Sequence, residues 1–212
     1  MGSAAVGRQG RRAYRPLVAF DFDGTLTVRD SYRDFIKWRC GPRRYAAGLA
    51  RLAPAIARYA RDRDRGALKQ ALTAEFLAGE TRADLAASAR AYATERAPAM
   101  LRPDAVACWR RWQGYDARLI IVSATPDIIV APFAHGLGAW RLIGTRLAFD
   151  EADRATGCFD GPNCRGPEKA VRLRAELGET VLLAAAYGDT DGDREMLAMA
   201  EEAGYRVFGL KP

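Results

Sequence analysis

Leu17-Val18-Ala19-Phe20-Asp21-Phe22-Asp23-Gly24-Thr25 is the stretch on which the fold turns. Four apolar residues without polar alternation are what a strand buried on both faces of a parallel sheet shows, and the run stops at two aspartates and a glycine. From Ser31 to Pro103 no strand-like run follows. Ala, Arg and Leu recur there at helical spacing, broken at Gly41-Pro42, Gly66 and Gly79, which predicts four or five helices. Beyond Pro103 the two periods alternate. A helix is expected over 104–113, then a strand, Arg118 to Val122, stopping at Ser123-Ala124-Thr125, and a helix opened by Pro126 at its first position. Short strands and a hairpin beside the sheet are expected over 140–161, a helix over 167–177, and a strand over 180–187 ending at Gly188-Asp189. Thr190-Asp191 then cap a helix running to Ala203, with a last strand over 205–208. The pattern is an α/β protein: a Rossmann-like open parallel sheet with helices on both faces, carrying an α-helical cap inserted after the first strand. The expected division is a disordered basic tail over 1–16, a catalytic core of 17–30 and 104–212, and the cap over 31–103.

The composition agrees with one packed core. Of 212 residues, 49% are hydrophobic and 28% charged, which excludes disorder, collagen-like repeats and coiled coil as the main architecture. No apolar run is long enough for a membrane span. Cys40, Cys108, Cys158 and Cys164 form no C-x-x-C pair, and a lone His135 leaves zinc short of ligands. Free thiols in a reducing, cytoplasmic setting are expected. The net charge of +7 is local: residues 1–16 carry four arginines and no acid, and residues 33–65 carry ten basic residues against three acids. The rest is therefore acidic, so no nucleic-acid partner is expected. The first residues lack the apolar segment of a secretory signal.

In open parallel sheets ligands gather beyond the carboxyl ends of the strands, which puts Asp21, Asp23, Ser123 and Asp189 on one rim. Asp21 and Asp23, with Asp189 and Asp193, concentrate negative charge that a hard divalent cation relieves, and an all-oxygen set suits Mg²⁺. Acids alone could form a structural metal site. A hydroxyl from Ser123 and an ammonium from Lys169 add donors for phosphate oxygens, and the whole set reads as phosphoryl transfer. Asp191 reads as a helix-start residue, His135 as structural, and Trp109 and Trp112 as core.

Asp21-Phe-Asp-Gly-Thr-Leu26 resembles the first motif of the haloacid dehalogenase superfamily, Ser123 its second, Lys169 its third, and Gly188-Asp-Thr-Asp-Gly-Asp193 its fourth. The resemblance covers the chain from residue 17 onward. It implies that Asp21 is a nucleophile forming an aspartyl-phosphate and that Asp23 is general acid, then general base. It implies that Ser123, Lys169, Thr25 and Gly24 serve the phosphoryl group and its loop, and that Asp21, Asp23, Asp189 and Asp193 serve Mg²⁺, Asp193 orienting Lys169 or a metal-bound water. An acid at Asp23 favours a phosphatase, since transport ATPases and dehalogenases lack one there. The helical insertion and Gly161-Pro-Asn-Cys-Arg-Gly-Pro-Glu-Lys169 are similar to the phosphoserine-phosphatase-like branch. Asp30 stands where true phosphoserine phosphatases carry a glutamate for the substrate amine, and reads either as a helix cap or as a substrate-facing acid. Ala67 to Leu72 lacks the arginine that would hold the substrate carboxylate, so phosphoserine is disfavoured.

Tyr45, Leu49, Leu52, Ile56 and Tyr59 make one apolar stripe on a helix, with Arg44, Arg51 and Arg58 on another face. Such a stripe packs inside a cap or rests on an anionic membrane. The arrangement resembles the cap of the phosphatidylglycerophosphate phosphatases. The expectation is a Mg²⁺-dependent phosphatase hydrolysing a phosphate monoester, favouring a phospholipid headgroup phosphate, with peripheral contact at the inner membrane face through 43–60. A small soluble ester (phosphoserine or histidinol phosphate) is the enzymatic alternative. A phospho-acceptor signalling domain, or binding through the basic cap without turnover, are the non-enzymatic ones.

Overall fold

The computed structural model describes residues 15–212. The basic tail expected over 1–16 lies outside the described residues except for Arg15 and Pro16. Arg15 Nε pairs with Asp116 at 2.8 Å, and the Pro16 carbonyl accepts from Arg118 N at 2.8 Å. In chain order the elements are β1 (Leu17–Phe20), a single irregular turn (Phe22–Leu26), α1 (Ser31–Arg51), α2 (Ala53–Asp62), α3 (Arg65–Leu77), α4 (Arg82–Met100) and α5 (Pro103–Gly114). Then come β2 (Arg118–Pro126), α6 (Asp127–Leu137), β3 (Arg141–Thr145), β4 (Leu147–Phe149), β5 (Ala155–Phe159), α7 (Pro167–Leu177), β6 (Leu183–Gly188), α8 (Arg194–Leu197) and β7 (Ala200–Tyr205).

Among the described residues five strands form one parallel sheet in the order β3-β2-β1-β6-β7. The unbroken apolar run of β1 is explained by its central place. Val18 and Phe20 join a cluster with Ile121, Tyr187, Trp109 and Phe133, while Ala19 joins a second with Ile120, Leu173 and Met196. Strand alternation thus feeds two cores, one per face. The sheet runs out at Asp21, whose N–H still donates to the Tyr187 carbonyl at 2.9 Å.

The structure moves several expected boundaries. β2 continues past Ser123 to Pro126 with a register shift against β3 between those residues, so Pro126 precedes α6 instead of opening it. The helix expected to reach Ala203 ends at Leu197, and the strand expected over 205–208 is instead β7. Pairing with the open edge of β6 outweighs the helical propensity of Ala200-Glu-Glu-Ala203. The β4–β5 hairpin packs on α3 of the cap rather than beside the sheet: Gly79 N donates to the Ala155 carbonyl and Arg154 Nη1 to the Gly79 carbonyl, both at 2.8 Å.

The single helix expected over 43–60 is two helices. α1 bends at Gly41 (φ 74°) and ends at Arg51, and Pro54 sits in the first turn of α2, where it needs no N–H partner. Arg44 and Arg51 both pair with Glu75 of α3, at 2.5 and 3.0 Å, so two cations of the expected basic face bind the cap together.

Candidate active site

The site sits where β1, β2 and β6 end and the cap covers them. Lys169, in the first turn of α7, is buried and places all three of its N–H groups: on Asp21 Oδ1 at 2.5 Å, the Val122 carbonyl at 2.7 Å and Asp193 Oδ1 at 2.7 Å. Burial disfavours its charge, but the Asp21 and Asp193 carboxylates outweigh that and hold its pKa above the usual lysine value. Burial pushes Asp21 up to about 7, Lys169 pulling against it and Asp193 and Asp23 adding to it.

Asp193 is anchored twice over. Its Oδ2 accepts from Asp189 N at 3.1 Å, Thr190 N at 2.9 Å and Thr190 Oγ1 at 3.0 Å. Burial works against its ionised form, but Lys169 and these donors hold its carboxyl below the usual range. Asp189 is less enclosed and is raised by burial and by the Asp193 charge. Thr25, expected to serve phosphate, donates to Asp189 Oδ1 at 3.4 Å. Gly24 is required beside it: at φ +88° a Cβ would stand 2.2 Å from Asp189 Oδ2.

One oxygen each from Asp21, Asp189 and Asp193 lies within 4.8 Å of the others. That close approach of carboxylates, with Asp21 and Asp189 both raised, fits a hard divalent cation. Asp193 has both oxygens engaged by protein donors, whereas among the described residues Asp21 and Asp189 each have a donor on one oxygen only.

Asp23 corrects the expected metal set, because its carboxylate points elsewhere. Oδ1 accepts from Ser31 N at 2.6 Å and Oδ2 from Thr125 Oγ1 at 2.6 Å. Burial, then the Asp30 charge, raises its pKa against those two donors. A carboxyl so held keeps a proton more readily than a free aspartate, which suits an acid/base role. Asp30 caps α1, its Oδ1 accepting from Arg33 N at 2.9 Å, although it also borders the cavity. Ser123 is fully buried, its Oγ accepting from Thr125 N at 3.0 Å, and it is not among the cavity-lining residues.

The cavity measures 680 Å³ and reaches from these acids to Tyr45, Leu49, Ile56 and Tyr59, the apolar stripe of α1 and α2. The stripe therefore neither fills the cap interior alone nor forms a wholly external face: it roofs the site. Two side chains escaped the sequence reading. Thr125, two residues past Ser123, carries no motif signal. Lys69 lies within Ala67–Leu72, the stretch that lacks an arginine; its Nζ donates to the Ala124 carbonyl at 2.9 Å and lies 5.4 Å from the Tyr32 ring centre.

The haloacid dehalogenase-like hydrolase family model matches residues 18–198. The chain is 55% identical over 211 residues to Protein CicA of Caulobacter vibrioides, covering 99% of this chain and 95% of that one. A Bordetella pertussis Tohama I protein of unknown function superposes with a TM-score of 0.73 at 26% identity, covering 87% of this chain and 86% of that chain. A substrate-bound phosphoserine phosphatase shares the fold, with a TM-score of 0.58 at 20% identity over 89% of this chain and 84% of that one. Among the described residues no helix is long and apolar enough to cross a membrane.

Proposed function

The chain belongs to the haloacid dehalogenase-like hydrolase family, and on that premise we propose that it is a Mg²⁺-dependent phosphomonoesterase acting on a phospholipid headgroup phosphate such as phosphatidylglycerophosphate. The observation that carries the chemistry is the division between the two neighbouring aspartates. Asp21 faces the Lys169 ammonium at 2.5 Å with its other oxygen unclaimed among the described residues, while Asp23 is held by Thr125 and Ser31 N and raised. A bond from Asp21 to phosphorus forms as the ester P–O bond breaks, and the leaving oxygen takes the proton of Asp23. Ionised Asp23 then accepts a proton from the water that attacks the aspartyl-phosphate, releasing phosphate and restoring Asp21. Asp21 and Asp189 would hold Mg²⁺, which would supply Lewis-acid neutralisation of the phosphoryl charge. An Asp23 poised this way shortens the life of the phospho-aspartate, which favours turnover over a phospho-acceptor signal.

The apolar roof supports the lipid. Tyr45, Leu49, Ile56, Tyr59, Leu68 and Leu72 line the cavity, while Asp30 caps α1 through Oδ1 at its edge. The same reading rests α2, none of whose residues is buried, on an anionic membrane surface, with Ile56 39% exposed and Arg58 and Arg61 elsewhere on the same helix. The test is phosphate release with Mg²⁺ on phosphatidylglycerophosphate in mixed micelles, phosphoserine, histidinol phosphate and sugar phosphates. Preference for the lipid, lost in Asp21→Asn, supports the reading. Preference for a soluble ester overturns the lipid assignment, and an Asp21→Asn variant within about tenfold of wild type removes Asp21 as nucleophile.

A further inference from the structure

Two lysines line the cavity, and they differ in what their protons do. Lys169 has every N–H placed on a core acceptor. Lys69 makes one hydrogen bond, to the Ala124 carbonyl at 2.9 Å, and among the described residues no carboxylate lies within ion-pair distance of it. An ammonium has three donors, and Lys69, half-buried on the cavity wall, has two left to offer a ligand there. Burial accordingly pushes the Lys69 pKa down, with Asp23, Asp30 and Asp21 pulling it back.

Its placement is specific. Thr73 Oγ1 donates to the Lys69 carbonyl at 2.9 Å and shares a 2.6 Å hydrogen bond with Tyr32 OH, which fixes this turn of α3 against the ring beneath Nζ. On the core side, Ala124 adjoins Thr125, the residue that donates to Asp23 Oδ2. Lys69 thus crosses from the cap to the short segment that holds the acid. An ester oxygen that takes the proton of Asp23 comes to lie beside it.

We infer that Lys69 is the substrate contact supplied by the cap, donating a hydrogen bond to the leaving-group oxygen next to Asp23 while its bond to Ala124 ties the cap over the site. This rests on the phosphomonoesterase reading. As the P–O ester bond breaks and the bond to Asp21 forms, negative charge grows on the leaving oxygen. Asp23 transfers its proton there; Lys69 keeps its own and stabilises that charge. A leaving group that is already a weak base needs little of this help.

The experiment compares wild type, Lys69→Met and Lys69→Arg on a long-chain alkyl phosphate and on p-nitrophenyl phosphate, with thermal unfolding of each protein. For the methionine variant kcat/KM on the alkyl ester is expected to fall about 10- to 100-fold, the nitrophenyl ester to change far less, and arginine to restore most of the loss. Equal losses on both esters, or none, overturn the role of Lys69 while leaving the phosphomonoesterase reading intact. A wild type that releases phosphate from neither ester overturns that reading and this inference with it.

Discussion

Thr125→Val removes one hydroxyl from beside Asp23 and keeps almost the same shape. Thr125 is 1% exposed, and its Oγ1 donates to Asp23 Oδ2 at 2.6 Å, so no water replaces it readily. A hydrogen bond to a charged partner is worth about 1.5–3 kcal/mol. Only ionised Asp23 benefits fully, so the variant raises the pKa of Asp23 beyond the elevation that burial and Asp30 already impose. The folded-state pKa is then further above the unfolded one, and ionising Asp23 opposes folding more strongly. The cost of the substitution is accordingly small at low pH, where Asp23 keeps its proton in the fold, and develops as pH rises through the folded-state value. Above that value it approaches the full 1.5–3 kcal/mol, or about 3–12 °C in Tm for a chain of this length. On the proposed mechanism hydrolysis of the aspartyl-phosphate needs Asp23 ionised, so the acid limb of the kcat profile moves to higher pH. Thermal unfolding across pH and a pH–rate profile check both effects. An equal loss of Tm at every pH, with the acid limb unmoved, reduces Thr125 to ordinary packing and refutes the reasoning.

The same cluster yields two further expected outcomes. With Asp21 pushed up to about 7 by burial in the metal-free protein, the stability of that form falls as pH rises from the ordinary carboxylate range through 7, and stabilisation by added Mg²⁺ grows over the same window. A Mg²⁺-induced thermal shift that stays flat from about pH 5 to 8 contradicts this assignment. Lys169→Met leaves the Asp21 and Asp193 carboxylates without their counter-charge and costs about 3–5 kcal/mol, less at low pH where protonation relieves them. Denaturant unfolding measures it, and a loss below about 1 kcal/mol at neutral pH shows the cluster to be more hydrated than its burial implies.

The fold class was legible because burial on both faces writes itself into composition: a run such as Leu17–Phe20 has no other common use in a chain that alternates periods afterwards. What the sequence concealed were features decided by pairing partners distant in the chain. Ala200–Tyr205 is helix-forming by composition and becomes an edge strand only because β6 offers unpaired backbone beside it. The acids were legible as residue types at a strand end, yet direction was not. Nothing in Asp21-Phe-Asp23 says that the first carboxylate turns to Lys169 and the second to Thr125, 102 positions away in the chain. Lys69 and Thr125 are common residues whose importance lies only in what stands opposite them.

The stripe on α1 and α2 meets the same limit. A helical apolar period establishes that one face leaves water, not whether it enters a core, a membrane or a cavity. Here Tyr45, Leu49, Ile56 and Tyr59 border a 680 Å³ cavity whose floor is the acid cluster. The polar groups that act on phosphorus stand on strand ends and on α7, braced by Lys169 through the buried core. On the proposed reading the groups that meet the rest of the substrate stand on the cap, which Lys69 joins to the Ala124 carbonyl. Changes to the roof can therefore redirect which ester is accepted while leaving Asp21, Lys169 and Asp193 in place. A charge set into that roof, such as Leu49→Glu, is expected to raise KM for an apolar ester far more than it lowers kcat. Steady-state kinetics on a long-chain alkyl phosphate separates the two, and a fall in kcat with KM unmoved would show that the roof shapes the acid cluster rather than the substrate's apolar part.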